Sequence, residues 1–265
     1  GLFRPGKRGT EGITRIQALA TALASTIGTG SIAGVATAIF FGGPGAVFWC
    51  WITGVLGIAT KYGEGLLAVK YRVNSNGRML GGPMYAIENG LAKPAKGAKR
   101  KFWKFMAVAF AVFTAIATFG IGSTVQANAI STMSSEVYGV SPIVVGGIIT
   151  IFAAAVIMGG VKSIARCCET LVPLMAGFYI LGCIAVLCIN SGYVWPALKL
   201  IMESAFNPSA AGAGFAGASI MIVARYGIAR GLFSNESGLG SAPIVAASAQ
   251  TKNPVRQALV SSTGT

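Results

Sequence analysis

Histidine and aspartate are both missing from this sequence, and the only carboxylates are seven glutamates, set against 21 lysines and arginines. These absences exclude a good deal. Without histidine no Cys/His zinc set can form, and none of the five cysteines (Cys50, Cys167, Cys168, Cys183, Cys188) belongs to a Cys-x-x-Cys pair. A serine triad lacks its base, and no paired catalytic carboxylates are available. Gly238-Leu-Gly-Ser241 does not fit the Gly-x-Ser-x-Gly frame of a nucleophile elbow. The reading is therefore not an enzyme, and no cofactor and no resident metal are expected. The cysteines, all in apolar or juxtamembrane sequence, are expected to be small buried hydrophobes.

Charge is scarce as well. Charged residues make up 11% of the chain, against about 25% in a soluble domain. In their place stand 54% hydrophobic residues, 37 glycines and a mean hydropathy of +0.68. That combination describes membrane helices. The net charge of +14 would suggest nucleic acid on a soluble protein. Here the basic residues lie between apolar segments, so no nucleic-acid partner is expected and the partner is the lipid bilayer. The chain starts with Gly1, no signal peptide opens it, and it stops inside a nascent helix. It reads as part of a longer protein, one transmembrane domain over residues 1–265.

A spanning helix needs about 20 mostly apolar residues. Six stretches qualify, at about 13–41, 45–69, 105–131, 142–161, 171–189 and 200–233, and a seventh begins near residue 255. With a cytoplasmic N-terminus, all of the 21 basic residues except Lys199 fall on the inner side, as topology requires. Ten of those inner residues, Lys61 to Lys104, are placed in the connection between the second and third spans. The run Lys93 to Lys104 reads as an ordinary topology-setting loop, with a lipid-binding patch as the alternative.

Two of the spans are unlike plain helices. The first contains Ile27-Gly-Thr-Gly-Ser31. Each glycine weakens a helix by about 1 kcal/mol relative to alanine. Unwinding within lipid requires that the freed backbone groups face a cavity or a ligand. Amides opened at Gly28 to Ser31 would suit a carboxylate, and carbonyls at the end of the inner half-helix would suit Na⁺. Ser25, Thr26, Thr29 and Ser31 add hydroxyls. Alone, the motif fits a packing face equally well, because Gly30 and Gly34 have Gly-x-x-x-Gly spacing. The sixth span carries Asn207-Pro-Ser-Ala-Ala-Gly-Ala-Gly-Phe-Ala-Gly, where a continuous helix is not expected. A pair of interrupted helices in corresponding positions marks the binding site of inverted-repeat transporters. The first five-helix repeat would cover about 13–189 and the second would begin in about 200–265.

Polar residues at depth are few. Glu64 and Glu169 are assigned to inner helix ends, Glu236 to a position just past the sixth span, and no carboxylate to mid-span. Gln126 is expected to line the substrate cavity, and Asn128 either to line it or to bond a neighbouring helix. Trp49, Trp51 and Trp103 are read as interface or packing aromatics.

These residues carry a family resemblance. Gly42-Gly-Pro-Gly-Ala-Val-Phe-Trp-Cys-Trp51, Ile27-Gly-Thr-Gly-Ser-Ile-Ala-Gly34, Ala59-Thr-Lys-Tyr-Gly-Glu-Gly65, Gly81-Gly-Pro-Met-Tyr85 and Arg230-Gly-Leu-Phe-Ser-Asn-Glu-Ser-Gly-Leu-Gly-Ser-Ala-Pro243 together resemble the sodium:alanine (alanine or glycine:cation) symporter family. The resemblance spans nearly the whole chain. It implies an all-α integral membrane protein with a leucine-transporter-like inverted-repeat fold, truncated here after about six transmembrane helices. It implies Na⁺-coupled import of alanine or glycine across a prokaryotic plasma membrane. It implies a substrate site of Thr26, Gly28, Thr29, Gly30, Ser31, Gln126, Gly214 and Phe215, and a Na⁺ site at the carbonyls of Ala24 and Ile27. Ser31 stands where the family usually has Asn, and Cys50 where it usually has Met. The competing readings are an ion channel, which would use carbonyl-lined breaks as well, and a non-transporting membrane fragment.

Overall fold

In a computed structural model the described residues are 15–76, 78–120, 122–207, 219–251 and 253–264. They form twelve α-helices and one short hairpin. The first long apolar stretch is split into α1 (Arg15–Thr26) and α2 (Thr29–Gly42). The chain turns at Gly43, with φ 79°, and returns along α3 (Ala46–Lys70). The connection expected to be a loop has structure of its own. Strands β1 (Val73–Ser75) and β2 (Arg78–Leu80) pair antiparallel. A short α4 (Pro83–Ile87) and a single π-turn (Glu88–Ala92) follow.

Helices α5 (Gly97–Gly120) and α6 (Ser123–Tyr138) replace the expected span at 105–131 with a longer run. Lys99, Arg100, Lys101 and Lys104 thus lie in the first turns of α5, not in a loop. Helix α7 (Pro142–Met158) meets α8 (Gly160–Ile189) at a glycine corner where Gly160 has φ 69°. The expected sixth span is two helices, α9 (Ser191–Phe206) and α10 (Ile220–Asn235), and the Gly-rich stretch at 208–218 lies outside the described residues. The chain then forms α11 (Ser241–Ala247) and α12 (Pro254–Ser262).

Helix α3 organises the bundle. Its buried face is Ala46, Thr53, Gly57, Lys61, Gly65, Ala68 and Val69, mostly small residues at helical spacing. The small side chains let neighbouring backbones approach. Gly227 and Gly231 of α10 sit directly on Ala46 and Thr53. Gly65 meets Ala258 and Ser261 of α12. Gly45 lies against the backbone of Ser204 in α9, and Trp49 Nε1 donates to the Ala205 carbonyl at 3.3 Å. Cys50 Sγ donates to the Gly227 carbonyl at 3.0 Å. Without hydrophobic drive between helices in lipid, such close packing and bonding holds them together.

These pairings fix the direction of α10. Residue 226 lies at Gly42 and residue 233 at Gly30, so α10 runs antiparallel to α2 and parallel to α3. It starts on the side where α2 ends. Arg225 and Arg230 therefore accompany α2 instead of marking the side of the chain's start; Arg230 Cδ reaches Gly34. That corrects their inner placement. A single descending span over 200–233 is expected from the sequence, whereas α9 ends and α10 begins at the α2–α3 turn, so Arg225 falls near the start of α10. Lys199, already the exception, is exposed on α9 beside Glu203 at 3.7 Å.

The outer helices turn apolar side chains outward. The runs Gly97–Tyr138 and Gly160–Ile189 are long and apolar enough to cross a membrane, and Phe113, Phe119, Ile143 and Phe178 on them or on α7 are exposed. The cysteines follow this pattern. None is buried: four are half-exposed and Cys188 is exposed, because α8 presents one side outward. Near the end of α3, the Arg72 guanidinium donates to the carbonyls of Ala247, Ala249 and Thr251, satisfying the C-terminal end of α11. Burial lowers its pKa from the ordinary guanidinium value, without removing its charge.

The contact at α10 gives a paired prediction. A Cβ at Gly231 would overlap Thr53 Oγ1, a side chain, whereas a Cβ at Gly227 would overlap the Ala46 carbonyl, which is backbone. Gly231→Ala should destabilise the full-length parent by about 1–3 kcal/mol and be partly rescued by Thr53→Ala. Gly227→Ala should be at least as damaging and not rescued by any single side-chain truncation. Thermal unfolding in detergent reads both.

Candidate functional site

The first interruption falls at Ile27 and Gly28. Ile27 N–H still donates to the Leu23 carbonyl at 2.7 Å, closing α1. Gly28 is extended, with φ −152° and ψ −163°. Its carbonyl accepts from Ser31 and Ile32, each at 3.1 Å, which starts α2. The first amides of α2 have no carbonyl within their own helix. Ser31 bridges the gap: its hydroxyl donates to the Thr26 carbonyl and meets Ser234 Oγ at 2.6 Å. A family position usually occupied by Asn thus carries a side chain that spans the break.

Gln126 reaches this point from α6. A Cβ placed on Gly28 would lie 3.7 Å from Gln126 Nε2 and 3.9 Å from the Ala24 carbonyl. Gly30 faces the ring of Phe233 at 3.2 Å from the same kind of probe position. Thr29 Oγ1 is buried and has no protein partner. Ala24, Thr26, Gly28, Thr29, Gly30, Ser31 and Gln126 are therefore gathered around one gap, and Ile27 forms its backbone. Gly214 and Phe215 lie outside the described residues. Gln126 and Asn128 are both exposed on α6, and Gln126 is the one whose side chain comes near the break.

An interruption that the sequence reading did not single out faces the first. Helix α10 ends at Asn235, and Glu236, Gly238 and Gly240 take positive φ of 52°, 86° and 83° before α11 begins. Glycine makes two of these three turns easy. Because α10 and α11 both run along α3, the pair reads as one interrupted helix. Glu236 Oε2 accepts from Ser241 Oγ at 2.7 Å, across the gap. The amides of Gly238 and Gly240 are directed at the Glu64 carboxylate of α3. Ser237 Oγ is buried with no protein partner, as is Glu64 Oε2. A cavity of about 270 Å³, lined in part by Glu64, Pro83, Phe110, Gly238 and Gly240, adjoins this break.

Lys61 lies between the two gaps. It is 2% exposed, and its ammonium donates to the Gly264 carbonyl at 2.9 Å and to Thr26 Oγ1 at 3.4 Å. The sequence reading counted it among loop cations and placed Glu64 at a helix end. Both instead sit on α3 beside the interruptions. The available signal was the spacing Gly57, Lys61, Gly65, which puts a lysine on a stripe of small residues. Ser234 and Glu236 were within a quoted motif but had no role assigned.

Apolar outward surfaces on membrane-length helices, with a cluster of polar groups at helix interruptions inside, fit a helical membrane protein. Comparison with known proteins gives the family. The profile of the sodium:alanine symporter family matches residues 2–265, and the chain belongs to that family. It is 53% identical over 254 residues to the sodium/alanine symporter AgcS of Methanococcus maripaludis, covering 96% of this chain and 54% of that protein. It is 35% identical over 256 residues to the amino-acid carrier protein AlsT of Bacillus subtilis, covering 97% and 52%. It is 36% identical over 257 residues to a B. subtilis protein named "Probable sodium/glutamine symporter GlnT", covering 97% and 51%. The chain spans about half the length of these curated relatives.

The two glycines of the first break should respond differently to alanine. Nothing lies within 3.7 Å of a Cβ on Gly28, and its backbone suits any residue; a Cβ on Gly30 presses the Phe233 ring at 3.2 Å. Gly28→Ala should leave stability nearly unchanged, and Gly30→Ala should cost about 1 kcal/mol, measured by thermal unfolding of the purified parent.

Proposed function

We propose that the full-length parent is a secondary transporter that carries small amino acids of the alanine or glycine type into the cell with Na⁺. One observation carries this reading. Two helix interruptions lie side by side, joined by Ser31 and Ser234, and each presents a buried hydroxyl with no protein partner, Thr29 Oγ1 and Ser237 Oγ. Buried polar groups are nearly always satisfied, so a small polar ligand and an ion are natural partners for these two. A substrate carboxylate would take the amides at the start of α2, where the helix dipole favours negative charge. Na⁺ would take carbonyls at the end of α1, those of Ala24 and Ile27, with Thr26 beside them. Gln126 closes the substrate side of Gly28.

The names of the relatives support Na⁺ coupling. They also differ in substrate, alanine in one case and glutamine in another, so side-chain size is the quantity that selectivity must set. The leucine-transporter-like arrangement of two inverted five-helix repeats belongs to the same proposal. The paired interruptions in the first helix and in α10–α11 support it. So does a cytoplasmic N-terminus in a prokaryotic plasma membrane, because the basic residues of the α3–α5 connection would then face the inner leaflet. A channel would need an open file of coordinating groups. Here the Ser31–Ser234 contact and the Phe233 ring against Gly30 close the first break towards α10, which favours a carrier.

Uptake of labelled alanine into proteoliposomes containing the parent should require an inward Na⁺ gradient and saturate, with K⁺ unable to replace Na⁺. Unlabelled glycine should compete and glutamine should compete poorly. Equal uptake in Na⁺ and K⁺, or current without saturation, would contradict the reading.

A further inference from the structure

Lys61 lies in the half of α3 nearer its C-terminus and is almost fully buried, and among the described residues no carboxylate lies within ion-pair distance of it. Its hydrogen bonds go to Thr26 Oγ1, at the last residue of α1, and to the Gly264 carbonyl beyond α12. The carboxylates whose charges act on it are Glu64, which receives the amides of the second break, and Glu236, which opens that break. A buried cation is costly unless its charge is balanced and its protons are bonded. Here Glu64 and Glu236 offset part of that cost, the ammonium makes two hydrogen bonds, and the groups around it come from different elements: the end of α1, the α10–α11 interruption and the end of α12.

We propose that Lys61 is a positioning residue of the transport site, a fixed cation that holds the two helix interruptions in register through Thr26 on one side and the Glu64–Glu236 pair on the other. The proposal rests on the transport reading for its kinetic consequences and on geometry alone for its structural one. Two effects of losing the ammonium act together on an anionic substrate group. The end of α1 loses its anchor, and the two glutamates are left as uncompensated negative charge near the site. Both weaken alanine binding, so the affinity of the substrate should suffer more than the rate of turnover.

The test uses the full-length parent in proteoliposomes and in detergent. Lys61→Met should raise the KM for alanine about tenfold or more while changing the maximal rate less, and Lys61→Arg should remain within about threefold. A KM within about twofold of the parent in Lys61→Met, or equal loss in Met and Arg variants, would overturn the proposal. If Lys61→Met does not fold, Lys61→Gln replaces it, since it keeps a hydrogen-bond donor and gives up the charge; a KM between those of Arg and no binding supports the proposal, and one equal to the parent overturns it. A second readout does not depend on transport. In a parent otherwise free of cysteine, Thr29→Cys should be modified by a small maleimide about fivefold faster when Lys61→Met is added. If the parent takes up no alanine in Na⁺, the transport reading falls, and an unchanged modification rate would then overturn the positioning role as well, whereas a faster one would uphold it.

Discussion

Every backbone group freed inside a bilayer must find a partner within the protein. That constraint organises this chain. Two helices are interrupted side by side, and much of the polar chemistry of the interior is gathered where they meet. Ser31 covers the Thr26 carbonyl, the amides of Gly238 and Gly240 turn to Glu64, and Glu236 takes the hydroxyl of Ser241. Two of the three buried hydroxyls without a protein partner among the described residues, those of Thr29 and Ser237, lie where a ligand would complete the account; the third, Ser204, lies at the α2–α3 turn.

The approach of the breaks depends on α3. Its buried face is built from alanine, glycine and threonine, so α10 and α12 can lie against it almost backbone to backbone. Larger side chains there would hold α10 away from α3, and with it the second interruption from the first. The same face carries Lys61 and Glu64, the two charged residues that reach from α3 towards the gaps. Packing and electrostatics are thus supplied by one helix, at successive turns of one stripe.

Much of this was legible in the residues. Low charge and high glycine content identified membrane helices, and Gly28-Thr-Gly30 located the first break to within a residue or two. The interruption expected at 207–219 falls between α9 and α10, with 208–218 outside the described residues. A further break at 236–240 was not foreseen, because its place beside the first follows from contact with α3: Gly231 on Thr53, Gly238 near Thr60 and Ala246 on Ala68. Lys61 was read as a loop cation because charges in such sequences usually lie in loops. Its burial follows from its neighbours four residues away, Gly57 and Gly65, which only a helix brings into line. The basic residues Arg225 and Arg230 misled because the descending helix begins at Ile220 and not near residue 200, which leaves Arg225 close to its start beside the end of α2.

The most direct test of this account is the structure of the full-length parent with alanine and Na⁺ bound. The account predicts the alanine carboxylate at the first amides of α2, within hydrogen-bond reach of Thr29 Oγ1, and Na⁺ at the carbonyls ending α1. It also predicts the chain segment 236–240 lining the opposite wall. A first helix continuous through Ile27 and Gly28, or alanine bound away from both interruptions, would contradict it.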